Sequence, residues 1–290
     1  MSVSATDVKK LRDSTGAGIM DCKNALKETE GDLEKAIDYL RKKGIAKAEK
    51  KASREVKDGI IESYIDPESN LGVLVEINCE TDFVAKTDDF KKFVNDVAIH
   101  VADNKPNDLA ELAGQTLADG KSVEEIRKEV VGKLGENISF KRFTIFEFKN
   151  GSIESYIHPG SKLGVLVEVN TDSDAASQTP EFKTFIHDIA MQIAASNPLV
   201  VKRDELSPEI IEREMNIYKT QAQEQKKPEH IAEKIAQGKM NKFYEEVCLM
   251  EQSFIKDPNI TVNELLKQLV SKLGEEVVIS RFVRYQLGEK

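Results

Sequence analysis

Cysteine is scarce in this chain, and the way it is scattered excludes a good deal. Only Cys22, Cys79 and Cys248 occur among 290 residues, none lies in a CxxC pair, and the number is odd. No disulfide framework is expected, and a reducing compartment is. Histidine is sparse too: His100, His158, His187 and His230 stand apart, with no His or Cys at metal-ligand spacing. No stretch approaches the ~18 apolar residues of a membrane helix. The N-terminal MSVSATDVKKLRDSTG lacks an apolar signal core. The expected location is the cytoplasm, and no metal or cofactor is expected. An excess of positive charge is also missing. A net charge of −9 argues against nucleic acid as the main ligand, because phosphate binding needs clustered Lys and Arg. One stretch runs the other way: residues 41–57 hold eight basic residues against two acidic ones, which reads either as an RNA contact or as a solvated helix and linker.

Residue groupings for bond-making chemistry are lacking as well. No Ser/His/Asp or Cys/His set has recognisable local context, and the many carboxylates form no distinctive pair. Gly120-Lys121-Ser122 resembles the end of a phosphate-binding loop, but Gly114 has five residues before Gly120 where that loop needs four. Ser122-Val123-Glu124-Glu125 reads better as a helix-opening capping box, and Thr261-Val262-Asn263-Glu264 repeats it.

What the chain does contain is a duplication. Residues 61–106 recur at 153–198 without a gap, and 23 of the 46 positions are identical. Similar stretches should fold into similar units. Ile60–Ile65 and Leu71–Asn78 read as two strands joined by the turn Asp66-Pro67-Glu68-Ser69-Asn70. A helix follows, with Phe90, Phe93, Val94, Val97, Ala98 and Val101 on one face; the second copy repeats this core stripe as Phe182, Phe185, Ile186, Ile189, Ala190 and Ile193. Likeness resumes where Asp119–Phe143 aligns with Pro258–Phe282, adding a second helix and a closing strand to each half. The first segment is displaced by 92 positions and the last by 139, so the second half carries an insertion of 47 residues between about Leu199 and Lys256.

The insertion reads as a helical hairpin. Ser207-Pro208-Glu209 starts one helix, Lys226-Lys227-Pro228 turns the chain, and a return helix carries Ile231, Ile235 and Phe243. Its polar surface suits an antiparallel coiled coil. It is either an arm for a partner or for self-association, or a decorated surface helix pair. At the other end, residues 1–54 read as three short helices: one capped by Thr6 or Ser4, one over about Ile19–Glu28, and one with Leu33, Ile37 and Leu40. Tight glycine turns between them resemble the ubiquitin-associated fold, an interaction module or a cap on the next domain. The expected class is thus α+β: a helical module at 1–54, core halves at 55–148 and at 149–198 with 257–290, and a helical hairpin at 199–256.

The two copies differ most tellingly at Thr81-Asp82-Phe83-Val84, which faces Ser173-Asp174-Ala175-Ala176. A core phenylalanine is the commonest kind. Truncating one to alanine costs roughly 3–5 kcal/mol unless the site is refilled, yet the second copy holds Ala175 and keeps its core pattern. The comparison favours an exposed Phe83, and exposed aromatics anchor in partner pockets.

Two motifs, LRDSTGAGIMDCKNAL at 11–26 and EINCETDFVAK at 76–86, resemble the bacterial translation elongation factor Ts family, and the domain order is similar over nearly the whole chain. That resemblance implies nucleotide exchange on elongation factor Tu. It makes Asp82 and Phe83 intruding residues flanked by Thr81 and Val84, with Phe83 wedging beside the partner's nucleotide site and disturbing its Mg²⁺. It makes the first module, through Arg12, Ile19 and Met20, a holder of the partner's GTP-binding domain. His158 matches a histidine in the family's Ser-Tyr-x-His segment, which would meet a different domain. Some relatives carry a further helix past the closing strand Val277–Tyr285, which this sequence lacks. A binding adaptor with no effect on nucleotide, and an enzyme with an unrecognised site, are the other classes of reading.

Overall fold

Local chemistry sets the first three helices. Ser4 accepts a hydrogen bond from the Asp7 amide at 3.1 Å and caps α1 (Ala5–Thr15). Gly16 ends it at φ 64°, a conformation that a side chain disfavours. After α2 (Ile19–Glu28), Asp32 caps α3 (Leu33–Lys51) through the Lys35 amide. Leu11, Cys22, Ala25, Leu26 and Ala36 form the core between them. This computed structural model describes residues 3–66, 70–117, 120–224 and 228–289. Pro67–Ser69 of the first expected turn, Lys226-Lys227 of the second, and Asp119 lie outside them.

The basic stretch turns out to be built into the fold. α3 runs well past Leu40 and takes in most of it. Lys43 and Lys47 both reach Asp21, at 3.1 and 2.9 Å, and hold its carboxyl below the usual range, the Lys47 hydrogen bond contributing most. Arg41 pairs with Glu129 at 2.8 Å, Lys51 donates to the Gly135 carbonyl, and Arg54 reaches Glu80 at 3.5 Å. These cations already face carboxylates and a carbonyl of their own unit, which favours the helix-and-linker reading over an RNA strip.

The chain divides into two compact units. The first takes in Met1–Tyr64, Val73–Ile145 and Gln286–Lys290; the second takes in Ile65–Gly72 and Phe146–Tyr285. The three helices belong to the first unit. So do most of β1 (Asp58–Asp66), β2 (Leu71–Cys79) and β3 (Ile138–Glu147), which lie in the order β1-β2-β3. Between β2 and β3 come α4 (Asp82–Ala85), α5 (Asp88–Asn104), α6 (Leu109–Gly114) and α7 (Val123–Leu134). All six positions of the expected α5 stripe are buried. Ser122 and Glu125 form the expected capping box at α7. The six-residue α6 was not expected, being shorter than two helical turns and too brief to show a period.

The second unit repeats the plan. β4 (Ser152–Ile157), β5 (Leu163–Thr171) and β8 (Val277–Gln286) lie in the order β4-β5-β8. β4 and β5 pair antiparallel, from Ser152 opposite Val169 to Ile157 opposite Gly164. α8 (Asp174–Ser177) and α9 (Pro180–Ser196) follow β5, and α12 (Val262–Leu273), opened by the Thr261–Glu264 capping box, precedes β8. The insertion contains α10 (Pro208–Glu224) and α11 (Glu229–Val247), and a small hairpin of β6 (Ser253–Phe254) and β7 (Asp257–Thr261), which periodicity did not reveal, spans its end. The return helix packs on smaller residues than the three bulky ones that its sequence offers. Ile231 is exposed and Ile235 and Phe243 are half-buried, whereas Ala222, Ala232, Ala236 and Met240 are buried. Small alanines let two helix backbones approach closely, so bulk alone was a poor guide to the contact face.

An ion pair with a buried carboxylate recurs in each half. Arg142 Nε donates to Glu76 at 2.7 Å and Arg281 Nε donates to Glu168 at 2.6 Å. Each guanidinium also donates to a strand-end carbonyl: Arg142 to Gln286 at 3.3 Å in the first unit, Arg281 to Glu147 at 3.2 Å in the second.

Candidate partner-binding site

The segment after β2 is too short to bury much, and its geometry decides which side chains face out. Thr81 has an extended backbone, and its hydroxyl accepts from the Val84 amide to open the single turn of α4. Successive helical residues are rotated by about 100°. Val84 and Ala85 turn inward and are buried, so Phe83 is forced out, 79% exposed. No other large apolar side chain among the described residues is as open. Asp82 pairs with Lys86 at 2.6 Å across one turn of exposed surface, a contact that contributes little.

A carboxylate clamps this turn from below. Glu136 Oε1 accepts from the Thr81 hydroxyl at 2.7 Å and Glu136 Oε2 accepts from the Thr81 amide at 3.0 Å. Beside it, the Asn137 amide donates to Glu80 at 2.6 Å, and the Asn137 side chain donates to the Arg54 carbonyl at 2.9 Å. The Cys79 thiol donates to the Thr81 carbonyl at 3.1 Å. Burial, with the Glu136 charge adding, pushes that thiol up to about 12, so it stays a neutral donor.

The second half keeps the support and lacks the ring. Ser173 caps α8 through the Ala176 amide and donates to Glu275 at 3.0 Å; the Glu276 amide donates to Asp172 at 3.2 Å; Thr171 donates to the Ser173 carbonyl at 2.8 Å. Ala176 and Ser177 are buried, and Ala175 takes the exposed place of Phe83. The expected site residues Thr81, Asp82, Phe83 and Val84 are therefore gathered on one turn, with Val84 an inward anchor rather than a surface group.

The other expected residues fall in two places. Ile19 and Met20 open α2 with 55% and 65% of their surface exposed, while Cys22, Ala25 and Leu26 of the same helix face inward. Arg12 is exposed on α1. His158 belongs to the second unit, exposed after β4, where its Nδ1 lies 3.1 Å from the Tyr156 hydroxyl. Across the Tyr156 ring stands His187, whose Nδ1 is 2.9 Å from Glu154. Sequence reasoning missed Glu136, although its alignment with Glu275 in the repeated Leu-Gly-Glu segments was there to find it. Among the described residues no group of three or more His, Cys, Asp or Glu side chains is placed to hold a metal ion.

Comparison with known proteins shows the family of the chain. The family model described as elongation factor TS matches residues 80–289. The elongation factor Ts of Prosthecochloris aestuarii is 48% identical, with 99% of each chain covered. That of Trichlorobacter lovleyi is 43% identical, covering all of this chain and 94% of its own. That of a Nostoc species is 45% identical over 99% of this chain and 93% of its own. With a duplicated core, a helical N-terminal segment and full-length relatives of one kind, this chain belongs to the elongation factor Ts family.

Proposed function

We propose that the chain is a guanine nucleotide exchange factor for elongation factor Tu, acting in the cytoplasm during translation elongation. The observation that carries this reading is the exposed Phe83 ring on a clamped turn whose counterpart holds only Ala175. A ring carried on a turn whose backbone is already fixed leaves only its own side-chain freedom to be lost on docking. Asp82 and Phe83 enter beside the partner's nucleotide site, with Thr81 and Val84 fixing the turn beneath them. The partner's Mg²⁺ demands near-ideal octahedral geometry with phosphate oxygens, so a small displacement of its surroundings weakens nucleotide binding disproportionately. Factor and nucleotide then disfavour each other, and that coupling is reciprocal. The role requires no nucleophile or general base from this chain.

The remaining surfaces supply affinity. The first three helices act as a ubiquitin-associated-like module that holds the partner's GTP-binding domain through Arg12, Ile19 and Met20. The second half meets another domain with His158. The α10–α11 pair serves as a coiled-coil arm for a partner or for self-association. In functional terms the chain reads as a module at 1–54, core halves at 55–148 and at 149–198 with 257–290, and the arm at 199–256.

Stopped-flow release of labelled GDP from elongation factor Tu tests the proposal. Wild type in excess is expected to accelerate release, and Phe83→Ala to slow that acceleration. Binding without acceleration would instead establish an adaptor.

A further inference from the structure

The Phe83 ring has almost no packing of its own to aim it. It is nearly bare, and its helix is one turn long, so its direction is set by whatever fixes that turn. Two buried side chains, Val84 and Ala85, hold the turn from one side. From the other side one charged group grips the residue where the turn begins: Glu136, with one oxygen on the Thr81 hydroxyl and the other on the Thr81 amide. Thr81 in turn holds the Val84 amide. A chain of hydrogen bonds therefore runs from Glu136 through Thr81 to the residue that follows Phe83.

Glu136 is itself well placed to bear this. The next residue, Asn137, is buried and bonded three ways, through its amide to Glu80 and through its side chain to the Arg54 and Ala52 carbonyls. The carboxylate thus projects from an anchored stretch of backbone.

We propose that Glu136 is a positioning residue for nucleotide release, setting the direction of Phe83 without meeting the partner. The inference rests on the reading of Phe83 given above. The repeat provides a built-in comparison, because Glu275 accepts from the Ser173 hydroxyl and no ring stands on that turn. A purely structural role predicts consequences of the same kind for removing either carboxylate. A positioning role predicts consequences for release from Glu136 alone.

The test is stopped-flow release of fluorescent GDP from elongation factor Tu over a range of factor concentrations. It reads the plateau rate and the half-saturating concentration separately, for protein shown folded by circular dichroism. Losing a charged hydrogen bond shifts an equilibrium roughly tenfold or more, so Glu136→Ala is expected to lower the plateau about tenfold. The half-saturating concentration should hold to roughly twofold, since only an interaction made in the release step is lost. Glu275→Ala should leave both values at wild type. Phe83→Ala/Glu136→Ala should release no more slowly than Phe83→Ala. If Glu136→Ala does not fold, Glu136→Gln keeps the shape and one acceptor, and should show a smaller plateau loss of the same kind. A wild-type plateau for the folded Glu136 variant, with Phe83→Ala slow, overturns the inference and leaves the reading of Phe83 standing. So does an equal loss from Glu275→Ala. A wild-type plateau for Phe83→Ala removes the reading beneath it.

Discussion

Gly132 of α7 lies so close to Gly44 of α3 that a Cβ on Gly132 would sit 2.9 Å from the Gly44 Cα. The reverse is not true: a Cβ on Gly44 would meet the Gly132 Cα at 3.7 Å, an ordinary contact. The two helices meet backbone to backbone, and only one of the two glycines is indispensable to that approach.

Substitution at the two sites should therefore differ in sign. Alanine in a helix interior is favoured over glycine by ~1 kcal/mol, so Gly44→Ala should be neutral or stabilising. Gly132→Ala must push α3 and α7 apart, at a cost of about 1–3 kcal/mol for overpacking. Urea unfolding of the two variants side by side gives the answer.

Phe83→Ala should hardly change stability, because the ring touches so little of its own chain. A shift within about 0.5 kcal/mol is expected. Phe90→Ala, which empties a fully buried site on α5, should cost ~3–5 kcal/mol. Equal losses in urea unfolding would mean that Phe83 is part of the core after all.

Arg142→Ala removes the partner of Glu76, a carboxylate only 1% exposed. Stranding a buried charge costs about 3–5 kcal/mol. Replacing both residues, Arg142→Met with Glu76→Leu, removes the charge along with its partner and should recover most of that loss. Equilibrium unfolding of the single and double variants tests both statements.

The buried thiols make the fold sensitive to alkali. Cys79 is raised from 9.0 to about 12 and Cys248 from 9.0 to about 11, chiefly by burial. A raised folded value means that the native state keeps a proton which the unfolded chain gives up. The stabilisation is full below pH 9.0 and is lost as the pH climbs towards these folded values. Cys79→Thr borrows the residue that the second half uses at Thr171, keeps a donor to the Thr81 carbonyl, and should flatten the loss of stability above pH 9.0. Unfolding free energies measured across that window provide the check.

Much of this architecture was legible in the sequence because the signals were local or repeated. The α5 and α9 stripes, the capping boxes at Ser122 and Thr261, and the strand pairs all declare themselves within short stretches of chain. The exposure of Phe83 was legible for another reason: Ala175 showed that the scaffold does not need the ring. What escaped were features settled between distant segments. The alanine seam of α11 depends on how closely α10 approaches. The cations of residues 41–57 find Asp21, Glu80 and Glu129, far away in sequence. Glu136 becomes notable only when the fold brings it beneath Thr81, 55 positions earlier.

The crossing of strand ends bears on how the protein is made. Arg142 completes its hydrogen bonding on the carbonyl of Gln286, and the first unit takes in Gln286–Lys290. A nascent chain emerging from the ribosome cannot make that bond when Ile145 appears. The bond forms only once the second repeat has been synthesised, so this last contact of the first unit rests on residues that are among the last to be made.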